Sequence, residues 1–154
     1  MATNTSLPEV FDLFMMIISD YRLVDLYNTD EDGFNTYLEA WLQYAVSEFE
    51  NICTQDLNYN TTTQEFPAEL TRKNKIILAK LMAKYWLEKV VSDITQMNLH
   101  ITDRDFRIAS EAMNLREKKD YFNAVKEECS QLLNDYAYSN NDWNSWYTQD
   151  FEGG

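Results

Sequence analysis

The sequence predicts a mainly α-helical fold, a bundle of about three long helices with short helices at the N-terminus and an extended C-terminal tail. Three observations predict it. Breakers are scarce: 154 residues contain three glycines and two prolines, and two of the glycines are the last two residues. Apolar residues, 45% of the chain, recur at steps of three and four over long stretches, the period of one helix face. Leu, Ala, Glu, Lys and Met, which lose little rotamer freedom in a helix, are plentiful. The length suits one domain whose core needs no metal or disulfide to hold it.

Met1 to Leu7 reads as polar and frayed. Pro8 suits a first helical turn, with Ser6 or Leu7 at the cap, because its missing N–H has no partner there anyway. Val10, Phe11, Phe14, Met15 and Ile18 then share one side of a short helix. Ser19 is the expected cap of a second short helix over Asp20 to Tyr27. The clearest period follows: Phe34, Tyr37, Leu38, Trp41, Leu42, Ala45, Val46, Phe49 and Ile52 form a single stripe of a helix over 32–53. Asp30, Glu31 and Asp32 lie at its start, where the helix dipole favours acids.

Thr54 to Pro67, rich in Asn, Gln and Thr, has no helical period and reads as a loop. Its Leu57, Tyr59 and Phe66 suit a short extended piece packed back on the domain. A second long helix is expected over 71–94. Ile76, Ile77, Leu78, Leu81, Met82, Tyr85, Trp86, Val90, Val91 and Ile94 give it the wide apolar face of a central helix. Lys73, Lys75, Lys80, Lys84 and Lys89 fill its remaining positions, facing solvent or an acidic neighbour. Thr95 to Asp103 reads as a connection, in which Leu99 and Ile101 alternate like a short strand. A third long helix is expected from Asp105 to Tyr138. The domain is therefore expected over 1–138, with 139–154 as a separate acidic, aromatic tail.

The formal net charge is −13. Gripping phosphates requires Lys and Arg to displace counterions, so this balance argues against a nucleic-acid binder. The charge is also uneven. No Lys or Arg occurs from Leu23 to Thr71 or after Lys126. Cys53 and Cys129 fall at apolar positions and read as reduced, buried thiols, since neither a disulfide framework nor a signal peptide is apparent. The longest apolar run, Leu13 to Ile18, is too short to span a bilayer.

The residue types that carry chemistry are sparse, and no enzyme or cofactor is expected. His100 is the single histidine, with no spacing to other residues that suits zinc. Phosphate loops, nucleophile elbows and metalloprotease helices are missing. Asn28-x-Asp30-x-Asp32-Gly33 followed by Glu39 does match the ligand spacing of a calcium-binding EF-hand loop. Asn at position 1, Asn35 where an apolar residue is usual, and the lack of a second loop favour a capped helix N-terminus instead. No metal is expected.

The tail after Ser139-Asn140-Asn141-Asp142 holds Trp143, Trp146, Tyr147 and Phe151 among polar residues. Such aromatics harm solubility unless something buries them, and they are preferred interface anchors. Tyr136 and Tyr138 mark where helix gives way to tail. The tail either folds back over its own domain or orders on a partner.

Several stretches, in order, resemble the head–tail adaptor (connector) proteins of tailed bacteriophages. They are Ala40-Trp41 through Cys53-Thr54-Gln55-Asp56-Leu57; Phe66-Pro67-Ala68-Glu69-Leu70-Thr71; Ile77-Leu78-Ala79-Lys80-Leu81-Met82 to Tyr85-Trp86-Leu87; and Ala109-Ser110-Glu111-Ala112 leading to Leu132-Leu133-Asn134-Asp135-Tyr136-Ala137-Tyr138-Ser139-Asn140. The resemblance implies a virion protein of the neck, assembled in the bacterial cytoplasm. It implies a ring, most often twelvefold, beneath the portal protein. The other implied partners are neighbouring copies and a stopper or tail-completion protein, with genomic DNA only passing through the channel and no membrane involved.

On this reading Tyr136, Tyr138, Trp143, Trp146, Tyr147 and Phe151 dock on the portal. Lys73, Lys80 and Lys84 meet the Lys- and Arg-free 23–71 region of a neighbour. The other reading is a small acidic regulatory or adaptor protein that binds one partner through its tail, tuned by calcium if the Asn28–Glu39 motif is real.

Overall fold

The computed structural model describes residues 3–18, 20–100 and 105–140. These residues form five helices: α1 (Leu7–Ile17), α2 (Tyr21–Thr29), α3 (Glu31–Phe49), α4 (Arg72–His100) and α5 (Asp105–Asn140). The mainly helical expectation holds.

α4 is the centre. Ile77, Leu78, Ala79, Leu81, Met82, Ala83, Trp86 and Leu87 are all buried. A helix buried on so many sides needs neighbours all round it. Here α1, α3 and α5 pack on it, while α2 lies mainly on α3. From α1 come Leu7, Val10, Phe11 and Phe14, and from α3 Phe34, Leu38, Leu42, Ala45, Val46 and Phe49. α5 adds Val125, Cys129 and Tyr136. The Phe14 ring meets Trp86 edge-on at 6.3 Å.

α5 runs antiparallel to α4: Lys80 pairs with Glu128, and Lys73 lies over the ring of Tyr136. The two helices, 29 and 36 residues long, measure roughly 43 and 54 Å at 1.5 Å per residue. Among the described side chains, the last of α4 to pack on the core is half-buried Val90. From there the α4 backbone continues ten residues, roughly 15 Å, to His100.

Several expected boundaries move, each for a visible reason. The N-terminal segment is tied down rather than frayed at residues 5–7. Thr5 donates its N–H to the Ala68 carbonyl (3.1 Å), and its own carbonyl accepts from Phe66 N–H (2.8 Å). The Thr5 hydroxyl accepts from Leu70 N–H at 2.8 Å. α2 is capped by Asp20, whose carboxylate accepts from Arg22 N–H at 2.8 Å; Ser19 lies outside the described residues. α3 ends at Phe49, not near 53, because the following chain turns away. Cys53 N–H closes back on the Phe49 carbonyl (2.9 Å), and Thr54 N–H donates to the Tyr136 hydroxyl (3.0 Å).

The 50–71 loop does pack back on the domain, burying Leu57 and Phe66, with Tyr59 edge-on to Phe66 at 5.8 Å. Asn60 and Glu65 form an isolated antiparallel bridge, and the tight return places Gln64 at φ 57. α4 does not end at 94. It runs on to His100, so Leu99 is helical, and no short strand forms there. The stretch lacks Gly and Pro, and Thr95 spends its hydroxyl on the Val91 carbonyl at 2.8 Å, a bond that a helix accommodates. Ile101 lies outside the described residues. α5 extends two residues into the segment expected to be tail.

Candidate docking surfaces

The EF-hand-like stretch is helical. α2 runs to Thr29 and α3 begins at Glu31, so the twelve-residue loop that would wrap a cation does not exist. Asp30 serves as the N-cap of α3, accepting from Gly33 N–H at 3.0 Å. A Cβ at Gly33 would overlap that carboxylate. The glycine thus gives room to a cap, not a turn. Among the described residues, no group of three or more His, Cys, Asp and Glu side chains is placed to hold a metal. Calcium tuning loses its structural basis.

The expected subunit-interface lysines are occupied within the chain. Lys84 Nζ lies 2.5 Å from Glu48 Oε2, and the Tyr85 hydroxyl donates to the same oxygen at 2.7 Å. Burial first, then the hydrogen bond to Glu48, pushes the Tyr85 phenol well above its ordinary range. Lys80 pairs with Glu128 at 3.0 Å, and Lys73 sits 5.6 Å from the centre of the Tyr136 ring. The complementarity between the α4 lysines and the Lys- and Arg-free region is therefore partly internal: Glu48 supplies it to Lys84. The acidic region of a neighbour would have to compete with these contacts.

The two tyrosines at the end of α5 part company. Tyr136 is 4% exposed. Its ring meets Phe49 edge-on at 5.0 Å, and its hydroxyl engages both Thr54 N–H and the Thr54 hydroxyl (2.8 Å). It belongs to the core and is not an exposed anchor, because the same helical step that carries Val125 and Cys129 inward carries it too. Tyr138, two residues on, is 67% exposed. Trp143, Trp146, Tyr147 and Phe151 lie outside the described residues, as does the side chain of His100.

Neither cysteine is disulfide-bonded. Cys129 is buried, its Sγ facing the Lys80 carbonyl at 3.4 Å, and burial pushes its thiol up to about 11. Cys53 is only half-buried, beyond the end of α3, 3.8 Å from the Tyr136 hydroxyl.

Other surface features were not expected from sequence. An aromatic row runs from Tyr37 through Trp41 to Tyr44 on α3 and then to Tyr85 on α4. Neighbouring ring centres are 6.0, 6.0 and 5.4 Å apart. A cleft of about 240 Å³ opens between α2, α3 and α4 over Leu23, Leu26, Trp86 and Val90. Its rim charges neutralise in pairs, Arg22 with Asp20 and Lys89 with Asp93, so it offers no net charge to a ligand. Among the described residues no helix is long and apolar enough to cross a membrane.

What remains is a surface of unpaired charge. The described side chains of Arg116, Lys119 and Lys126 on α5 form no ion pair, and neither do Asp25, Glu31 and Asp32 at the α2–α3 corner. Helical spacing in the sequence does not show that Lys80 and Lys84 of α4 are consumed internally. No protein-family model, curated protein or solved structure matches the chain.

Proposed function

We propose that this chain is a structural assembly protein, a head–tail adaptor that forms a ring beneath the capsid portal of a tailed bacteriophage. In this reading it joins the portal to a stopper or tail-completion protein and lines the channel through which the genome passes. The observation that carries the reading is the ordered set of adaptor-like stretches between residues 40 and 140. They coincide with α3, the 54–71 loop, α4 and α5, the elements that build the core and the long hairpin.

Three further features support it. α4 and α5 are long antiparallel helices of 29 and 36 residues, a length suited to bridging neighbours. α5 delivers the chain at Asn140, next to exposed Tyr138, directly into the aromatic segment that begins at Trp143. The net charge of −13 disfavours retention of DNA, so a channel lined by this protein would let the genome slide.

The test is co-expression with the portal protein encoded in the same genome, followed by affinity capture of the portal and electron microscopy. The expected outcome is a ring of adaptor subunits capping one end of the portal. Portal recovered without this chain would overturn the reading.

A further inference from the structure

Four residues of α5, Arg116, Lys119, Asn123 and Lys126, follow one another at steps of three, four and three. That spacing places them on one stripe of the helix. All four are exposed, and the three cations form no ion pair among the described residues. Acids of the same segment border that stripe along one side: Asp120 is four residues from Arg116, and Glu127 four from Asn123. The cations thus form a row with an acidic margin, and the row stands apart from the side of α5 that carries Val125 and Cys129 into the core.

The second surface is the outward face of α2. Leu23 is buried, but Val24 and Tyr27, three residues apart, are 44% and 50% exposed. Beside them stand Asp25, Glu31 and Asp32, exposed and without ion pairs. An apolar centre with a charged rim is the composition of a protein interface. The two surfaces do not neutralise each other within one chain. α5 approaches the other end of α2, where Lys118 draws down the Asp20 carboxyl, after the larger effect of Arg22. Glu31 and Asp32 lie past the far end of that nine-residue helix, about 13 Å away and beyond the roughly 8 Å screening length of physiological salt, while Asp25 stands about 7.5 Å along it.

We propose that the basic stripe Arg116–Lys119–Lys126 of one copy docks on the Val24–Tyr27 face and its Asp25, Glu31 and Asp32 rim on the next copy. The aliphatic stems of Arg and Lys cover Val24 and Tyr27 while their heads meet the carboxylates. The Tyr27 ring adds a face for a guanidinium. Unlike patches in contact make a head-to-tail interface, the kind that closes into a ring. A second copy suits the stripe better than a phosphate backbone: the chain as a whole repels polyanions, whereas its own acidic corner matches the stripe in charge and adds apolar area. The proposal deepens the ring reading above by naming the two surfaces that meet, and it replaces the α4 lysines, of which Lys80 and Lys84 are paired internally and Lys73 lies over the Tyr136 ring.

The experiment uses the full chain without portal, so that its failure and the failure of portal capture are separate results. Equal parts of isotopically light and heavy protein at about millimolar concentration, where weak contacts are populated, are treated with a zero-length carboxyl-to-amine cross-linker and mapped by mass spectrometry. Mixed-isotope links from Asp25, Glu31 or Asp32 to Lys119 or Lys126 are expected. In sedimentation at low salt, Arg116→Glu/Lys119→Glu and Asp25→Lys/Asp32→Lys each weaken self-association by roughly tenfold or more. Mixing the two variants, or combining all four changes in one chain, restores it. All four positions are exposed, and unchanged thermal melts show that folding is intact. Absence of mixed-isotope links, unchanged association in the single-surface variants, or no recovery on mixing would each overturn the proposal. So would tight binding of duplex DNA that is lost in Arg116→Glu/Lys119→Glu, which would assign the stripe to phosphates.

Discussion

Thr54 N–H donates to the Tyr136 hydroxyl at 3.0 Å, joining residues 82 apart in sequence. The bond fastens the chain leaving α3 to the last turns of α5. It is also the point where the domain hands over to its C-terminal segment. Tyr136→Phe keeps the ring on Phe49 but leaves Thr54 N–H without its partner, at an expected cost of about 1–2 kcal/mol. Tyr136→Ala also removes the buried ring and is expected to cost about 3–5 kcal/mol. Urea unfolding of the two variants measures the difference.

Lys84 and Glu48 form the least exposed ion pair among the described residues, with side chains 13% and 29% exposed. Lys84→Glu places two carboxylates together beneath Tyr85. The expected loss is about 2–4 kcal/mol, below the full figure for a buried pair because water still reaches both groups. Lys84→Met removes the charge without repulsion and is expected to cost less. Thermal melts at fixed pH distinguish the two. A stable Lys84→Glu protein would mean that this lysine does not anchor α3 to α4.

Stability should fall at alkaline pH. The Cys129 thiol is raised from 9.0 to about 11, chiefly by burial, so the folded state holds a proton that the unfolded chain releases sooner. The sign follows: the contribution is fully present below pH 9 and is lost as pH rises through 11. Tyr85 acts in the same direction from its ordinary value of 10.0 upward. Cys129→Ala is expected to flatten the slope of unfolding free energy between pH 9 and 11. At pH 8 a thiol reagent should modify Cys53 well before Cys129.

Calcium should leave the thermal melt unchanged at millimolar concentration, since Asp30 is a helix cap. Asp30→Ala should destabilise the protein by about 1 kcal/mol, and Asp30→Asn much less, because Asn also caps. A calcium-dependent rise in melting temperature, lost in Asp30→Asn, would contradict this assignment.

The helices were legible where one face carries the signal. The Phe34 to Phe49 stripe lies in the core of α3, and the wide face at 76–90 is the centre of the bundle. Tyr136 was legible by the same rule: it continues the step that places Val125 and Cys129 inside, and its period was a better guide than its closeness to the tail. Other features had no local signal. Thr5 is buried because residues 66–70 bond to it, a partnership some sixty residues away. The end of α4 lies beyond 94 because the Thr95-Gln96-Met97-Asn98 stretch, though its apolar period lapses, holds no Gly or Pro to stop a helix. The pairing of Lys84 with Glu48 depends on how α3 lies on α4, which helical spacing within either element does not encode.

The central claim is that this chain assembles on a portal through its C-terminal segment. The most direct measurement is electron microscopy of portal particles captured from cells co-expressing either the full chain or a chain ending at Asn140. The expected result on the proposed reading is an added ring, twelvefold, with the full chain and bare portals with the shortened one. Bare portals in both samples, or equally complete rings in both, would contradict it.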